Sequence, residues 1–183
     1  MKQFKIYTQD DQVLHEKAKA LSFPLSEETK QTVKDMVEYL KASQDEETAK
    51  KYNIRPGVGI AAPQIGISER FFAIYFNDEN GKRYEYGLVN PKIISSSVKK
   101  AYLTTGEGCL SVPKDVPGYV YRYQKITLKA YDVLTDREIT LKLFGYPAIV
   151  FQHEYDHLDG ILYYERINKD EPFKVEENAV AIS

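Results

Sequence analysis

A single cysteine, Cys109, stands among the 183 residues, so no disulfide can form within the chain and stability must come from an ordinary buried core. A chain of this length buries roughly 70% of the surface its unfolded form exposes, enough for one core without covalent staples. Basic residues are not in excess either. Twenty-five Lys and Arg face 27 Asp and Glu, a net charge of −2, which argues against sequence-independent binding along a phosphate backbone. Long apolar runs are also missing. The longest, Phe71 to Phe76, is about six residues, far below the roughly 20 needed to cross a bilayer. The first residues turn polar at Thr8-Gln9-Asp10-Asp11, before a secretory leader could form. No repeat or low-complexity stretch stands out. We therefore expect one domain over residues 1–183, cytoplasmic and not attached to a membrane, with its lone thiol compatible with a reducing compartment.

What is present reads as a mixed α+β domain. Ser26 can cap a helix over 26 to about 42, in which Val33, Met36, Val37 and Leu40 recur at the spacing that lines up one apolar face. The charged stretch from Ser43 to Lys51 lacks such a stripe and reads as a loop or short surface helix. Strand signals follow: Phe71 to Phe76, then Asn80-Gly81 as a hairpin turn before Tyr84 to Val89. Residues 126–131 and 139–143 alternate apolar with polar as two half-buried antiparallel strands. Tyr146-Pro147 opens a second helix that Gly160 ends. Ile161 to Tyr164 reads as a strand, and the last dozen residues as peripheral.

The second helix carries His153-Glu154-Tyr155-Asp156-His157, an HExxH sequence that uses two of the three histidines. Four-residue spacing stacks both imidazoles on one face, where they can meet one metal ion, and Glu154, one step round, can reach a water there. A catalytic site needs a third protein ligand and an open position. The HExxHxxGxxH extension fails, because Tyr163 occupies the last position. Glu176 and Glu177 lie near the distance of a downstream glutamate ligand, but Pro172 and the absence of apolar periodicity oppose a helix there. Cys109, in Glu107-Gly108-Cys109-Leu110-Ser111, is the remaining candidate, since a thiolate suits zinc or ferrous iron. His15 reads as an exposed side chain; Arg122 could meet substrate carbonyls, but nothing local distinguishes it from a surface charge. Gly57-Val58-Gly59-Ile60-Ala61-Ala62 satisfies a dinucleotide-loop pattern in letters only, since Pro56 and Pro63 deny it the flanking strand and helix. The same small residues, followed by the carboxamide of Gln64, can instead pair with an extended peptide.

Gly57 to Gln64 (GVGIAAPQ), Glu107 to Ser111 (EGCLS) and Gln152 to Leu158 (QHEYDHL) together resemble the three signature motifs of peptide deformylases, in the family's order and over roughly residues 26 to 165. The charged stretch before Gly57, the long path after Ser111 and the lack of a long C-terminal helix resemble the type 2 branch of Gram-positive bacteria. Around Asp11 to Leu14 the glycine and proline usual in the family are missing. The resemblance implies antiparallel sheets packed around a central HExxH-bearing helix, with an N-terminal helix. It implies that Cys109, His153 and His157 bind one divalent ion, ferrous iron or a substituting zinc, nickel or cobalt. It makes Glu154 the general base, and the Gln64 side chain with the Leu110 N–H the oxyanion donors. The partners implied are N-formylmethionyl peptides on nascent chains near the ribosome, losing their formyl group as formate, with Val58 and Gly59 pairing to the peptide backbone. Ile149 and Val150, four and three positions before His153, fall on its side of the helix and can wall a pocket for the methionine side chain.

Overall fold

Ser26 starts the first helix, α1 (Glu27–Gln44), as the spacing predicts: its Oγ accepts from Thr29 N at 3.1 Å. The computed structural model describes all residues, Met1–Ser183. The charged stretch forms a second short helix, α2 (Glu46–Tyr52), capped by Asp45 and burying no side chain. Strands β1 (Gly59–Ala61), β2 (Phe71–Asn77), β3 (Arg83–Ser96), β6 (Lys125–Asp132) and β7 (Arg137–Phe144) make a five-stranded antiparallel sheet in the order β1-β2-β3-β6-β7. A smaller sheet combines β4 (Lys100–Leu103), β5 (Arg122–Tyr123) and β8 (Val180–Ile182) in the order β5-β4-β8. Helix α3 (Tyr146–Leu158) carries the HExxH residues.

The apolar run in β2 is explained by burial on both faces. Alternate side chains point to opposite sides of a strand: Phe71 and Ala73 join the cluster formed with α1, whereas Phe72, Ile74 and Phe76 join the one formed with α3. Val33, Met36, Val37 and Leu40 are each 1% exposed or less, and burying each side chain is worth roughly 1.5–3 kcal/mol. The approach is close enough that a β-carbon on Gly87 would fall 2.3 Å from Val33 Cγ1. The sheet thus sits between two helices. It is a rigid base for α3, whose flanks are buried almost all round.

Three expectations need correction. Residues 161–164 do not return to a strand: Tyr163–Arg166 is a 3-10 turn, with Leu162 and Tyr163 buried consecutively rather than alternately and Leu162 N held by Glu165 Oε2 at 2.6 Å. The C-terminal residues are not wholly peripheral, because Val180–Ile182 pairs in parallel with β4. The strand after the hairpin runs on from Val89 to Ser96. It accommodates Pro91 at a register shift between Val89 and Lys92, where the missing N–H breaks no regular rung. No helix is long and apolar enough to cross a membrane.

Candidate metal centre and peptide groove

Three chain segments converge on one point. Helix α3 offers His153 and His157 a turn apart, their ring centroids 5.2 Å from each other. The irregular segment between β4 and β5 brings Cys109, whose Sγ lies 3.3 Å from His157 Nε2. One donor atom from each of Cys109, His153 and His157 falls within 4.8 Å of the others. In a tetrahedral site with bonds of about 2.3 Å to sulfur and 2.0–2.1 Å to nitrogen, ligand atoms stand roughly 3.5 Å apart; the Cys109–His157 pair is already at that separation, and the three donors together are close enough to converge on one cation. Glu176 and Glu177 are absent from this cluster, and Glu176 is exposed with its N–H on Tyr121 Oη.

The third segment, a 3-10 turn at Ala62–Ile65, delivers Gln64. Its Oε1 accepts from Ala61 N at 2.8 Å, while Nε2 donates to Ser111 Oγ at 3.1 Å and faces Cys109 Sγ at 3.6 Å. The Leu110 N–H makes no hydrogen bond within the chain. The N-terminal segment ties these pieces together despite its missing glycine and proline. Tyr7 N donates to Gln64 O, Gln9 N to Ser111 O and Ala18 N to Leu158 O, at 2.8, 3.0 and 2.8 Å. Leu14, fully buried, packs in the cluster that contains Cys109 and Val112. His15 is exposed, as expected, with Nε2 on Gln9 O.

Glu154 is 4% exposed and its Oε1 finds no hydrogen-bond partner, nor does Nδ1 of His157. Burial lifts the Glu154 carboxyl to about 7, against the pull of His153 and Arg122. At His157 burial, aided by the His153 charge, pushes the pKa well down. At His153 burial also opposes protonation, but contacts to Cys109 and Glu107 outweigh it and the pKa rises.

Arg122 is the clearest departure from the sequence reading. It is no surface charge: 4% exposed, it donates to Glu107 from Nε and Nη2 at 2.8 and 3.0 Å and to Asp156 from Nη1 at 2.9 Å. Arg166 closes the chain with two bonds to Asp156 at 2.6 and 2.8 Å. Glu107 Oε1 in turn lies 2.8 Å from His153 Nδ1, a contact that orients the ring and leaves Nε2 to face Cys109 and His157. Burial disfavours the Glu107 charge, yet Arg122 and His153 overcome this and hold its pKa down at about 2. Glu107 and Asp156 sit inside the motifs, two and three residues from Cys109 and His153 respectively, and that placement was the available signal. Nothing local marks Arg122.

A groove of about 350 Å³ opens onto the cluster, lined among others by Val58, Gly59, Gln64, Leu110, Ile149 and Val150. Ile149 and Val150 are 1% and 6% exposed, and Val150 also packs into the core beneath the sheet, so the groove wall and the core share these side chains. Gly59 belongs to β1, an edge strand of the five-stranded sheet, and such an edge can accept an extended chain.

A thiol and two imidazoles able to share a cation, a buried carboxylate beside them and a strand-edged groove define a metallohydrolase acting on extended chains. The comparisons narrow the class. The Polypeptide deformylase family model matches residues 3–173. A peptide deformylase of Staphylococcus epidermidis is 56% identical over 170 residues, covering 92% of both chains. Peptide deformylase 2 of Bacillus subtilis is 52% identical over 169 residues, covering 92% of this chain and 91% of its own. The crystal structure of a class I type b peptide deformylase from Acinetobacter baumannii with Met-Ala-Ser bound superposes with a TM-score of 0.69 at 30% identity, covering 90% of this chain and 98% of that one. The chain belongs to the peptide deformylase family, in its type 2, Gram-positive branch. Its activity is the hydrolytic removal of the N-formyl group from nascent polypeptides, and the Cys109, His153 and His157 cluster could hold a metal ion.

Proposed function

We propose that Cys109, His153 and His157 bind a ferrous ion, with zinc, nickel or cobalt able to substitute, and that Glu154, Gln64 and Leu110 carry out deformylation of formylmethionyl chains near the ribosome in the cytoplasm. The mixed thiolate and imidazole donor set suits ferrous iron and zinc alike. When bound, such a cation supplies Lewis acidity, lowering the pKa of water toward about 7. Glu154 takes the proton of the attacking water on its carboxylate and passes it to the departing amine nitrogen. The formyl carbonyl becomes an oxyanion as the tetrahedral adduct forms, and Gln64 Nε2 with the Leu110 N–H donates to it. Burial of Gln64, 1% exposed, and its bonds to Ala61 and Ser111 hold the amide in place before substrate arrives.

The methionine side chain packs against Ile149 and Val150, while the following residues extend along Val58 and Gly59. Backbone pairing makes recognition beyond the methionine largely independent of sequence. The Met-Ala-Ser bound to the Acinetobacter relative is the deformylated form of a peptide that this groove would take.

The carrying observation is the convergence of three donors within 4.8 Å beside a buried, unpartnered carboxylate. The test is formate release from formyl-Met-Ala-Ser by anaerobically prepared protein, with metal content measured on the same sample. Release proportional to bound iron, lost in Glu154→Ala with the iron retained, supports the assignment. Release indifferent to Glu154→Ala refutes it.

A further inference from the structure

One rung of the sheet is missing at the edge of the groove. Strands β1 and β2 pair in the register Gly59↔Ile74 and Ile60↔Ala73, which sets Val58 opposite Tyr75. Tyr75 N donates to Val58 O at 2.9 Å. In a regular antiparallel pair of this kind the return bond runs from Val58 N–H to the Tyr75 carbonyl. It is not made. The Tyr75 carbonyl accepts instead from Nε2 of Gln44, the last residue of α1, at 2.6 Å, and the same Nε2 donates to the Gly57 carbonyl at 2.9 Å. The chain bends at Val58, whose N–H has no hydrogen bond within the protein and whose residue lines the groove.

The neighbouring Ser43 holds the other side of the bend but cannot replace Gln44. Its Oγ accepts from Gly57 N at 3.1 Å and directs its own proton to Leu40 O at 2.7 Å, leaving only a long 3.4 Å approach to Gly57 O. Both carbonyls therefore depend on the exposed carboxamide of Gln44.

We propose that Gln44 is a positioning residue for the peptide downstream of the formylmethionine. By occupying the Tyr75 and Gly57 carbonyls it keeps the start of β1 splayed from β2, so that the Val58 N–H stays free for a backbone carbonyl of the substrate. The proposal rests on the reading that an extended peptide pairs along Val58 and Gly59. Without the Gln44 donors, the Tyr75 carbonyl becomes a free acceptor opposite Val58, the rung closes, and the substrate loses a donor. A formyl group and methionine side chain alone would not sense the change.

The experiment compares kcat/KM for formyl-Met-Ala-Ser with that for formyl-methionine in the metal-loaded wild type, Gln44→Leu and Gln44→Glu. Both variants keep the approximate shape and remove the donors. The expected result is a fall of about tenfold in the preference for the tripeptide, the scale of one hydrogen bond, expressed mainly as a higher KM. A preference that stays at the wild-type value, or a parallel loss on both substrates, overturns the proposal, the second outcome showing that Gln44 only supports the fold. A wild type that shows no preference for the tripeptide would instead refute the pairing of peptide with β1.

Discussion

Gly59 lies against Glu154 so closely that a β-carbon at position 59 would fall 2.6 Å from Glu154 Oε2 and 2.8 Å from its Cδ. The strand that edges the groove is thus also the wall that presses the carboxylate into place. Helix α3 cannot retreat, because Phe151 and Leu158 are fully buried against the sheet. Gly59→Ala therefore turns the carboxylate away from its position. Formate release should fall by roughly 10² to 10⁴, the usual contribution of a placed acid or base, while metal content, measured by elemental analysis, stays at the wild-type level.

Glu107 is read as the residue that keeps the His153 ring aimed at the metal. Replacing it by Gln retains the shape but removes the charge that Arg122 neutralises and weakens the bond to His153 Nδ1. Outer partners of this kind are worth roughly 10- to 100-fold in metal affinity. Competition between Glu107→Gln protein and a zinc chelator should show a loss in that range; unchanged affinity would assign Glu107 to the fold alone.

The same glutamate makes the metal-stripped protein sensitive to acid. Its carboxyl is held down to about 2 in the folded chain, below the ordinary 4.5, so the unfolded state takes up the proton first. Glu107 consequently contributes stability that is complete above about pH 4.5 and is lost as the pH falls toward about 2. Urea midpoints of the stripped protein at pH 5 and pH 3 should differ more for the wild type than for Glu107→Gln.

Gln64→Leu removes a buried donor that is not itself a metal ligand, along with its 3.6 Å contact to Cys109 Sγ. Losing one oxyanion donor costs about 2.7–4 kcal/mol of transition-state stabilisation, a hundredfold or more in turnover. Near-normal turnover by a variant with full metal content would remove Gln64 from the proposed mechanism.

The elements that announced themselves in the sequence are those whose environment is periodic or punctuated. α1 buries one stripe, so its 3.6-residue period survives; α3 is buried almost all round and was legible from Pro147 and Gly160 rather than from its apolar pattern. The convergence of Cys109 with His153 and His157 could be anticipated because each residue type has few alternatives in a chain with one cysteine and three histidines. Arg122 was illegible for the opposite reason. With 25 basic residues in the chain, nothing in its neighbourhood signals that it will be enclosed by Glu107 and Asp156, whose charges are what allow it to be buried. Gln44 and the N-terminal contacts to Gln64 and Ser111 were equally silent, because they act through backbone groups that any sequence possesses. The strand β8 was missed since a three-residue pairing has no period to detect.

Deformylation as proposed requires one sulfur and two imidazole nitrogens to share a cation. X-ray absorption at the metal edge, on protein loaded and kept anaerobically, tests it directly. One sulfur neighbour at about 2.3 Å with nitrogen or oxygen neighbours at about 2.0–2.2 Å, the sulfur vanishing in Cys109→Ser, is the expected result. A shell of nitrogen and oxygen alone in the wild type would contradict it.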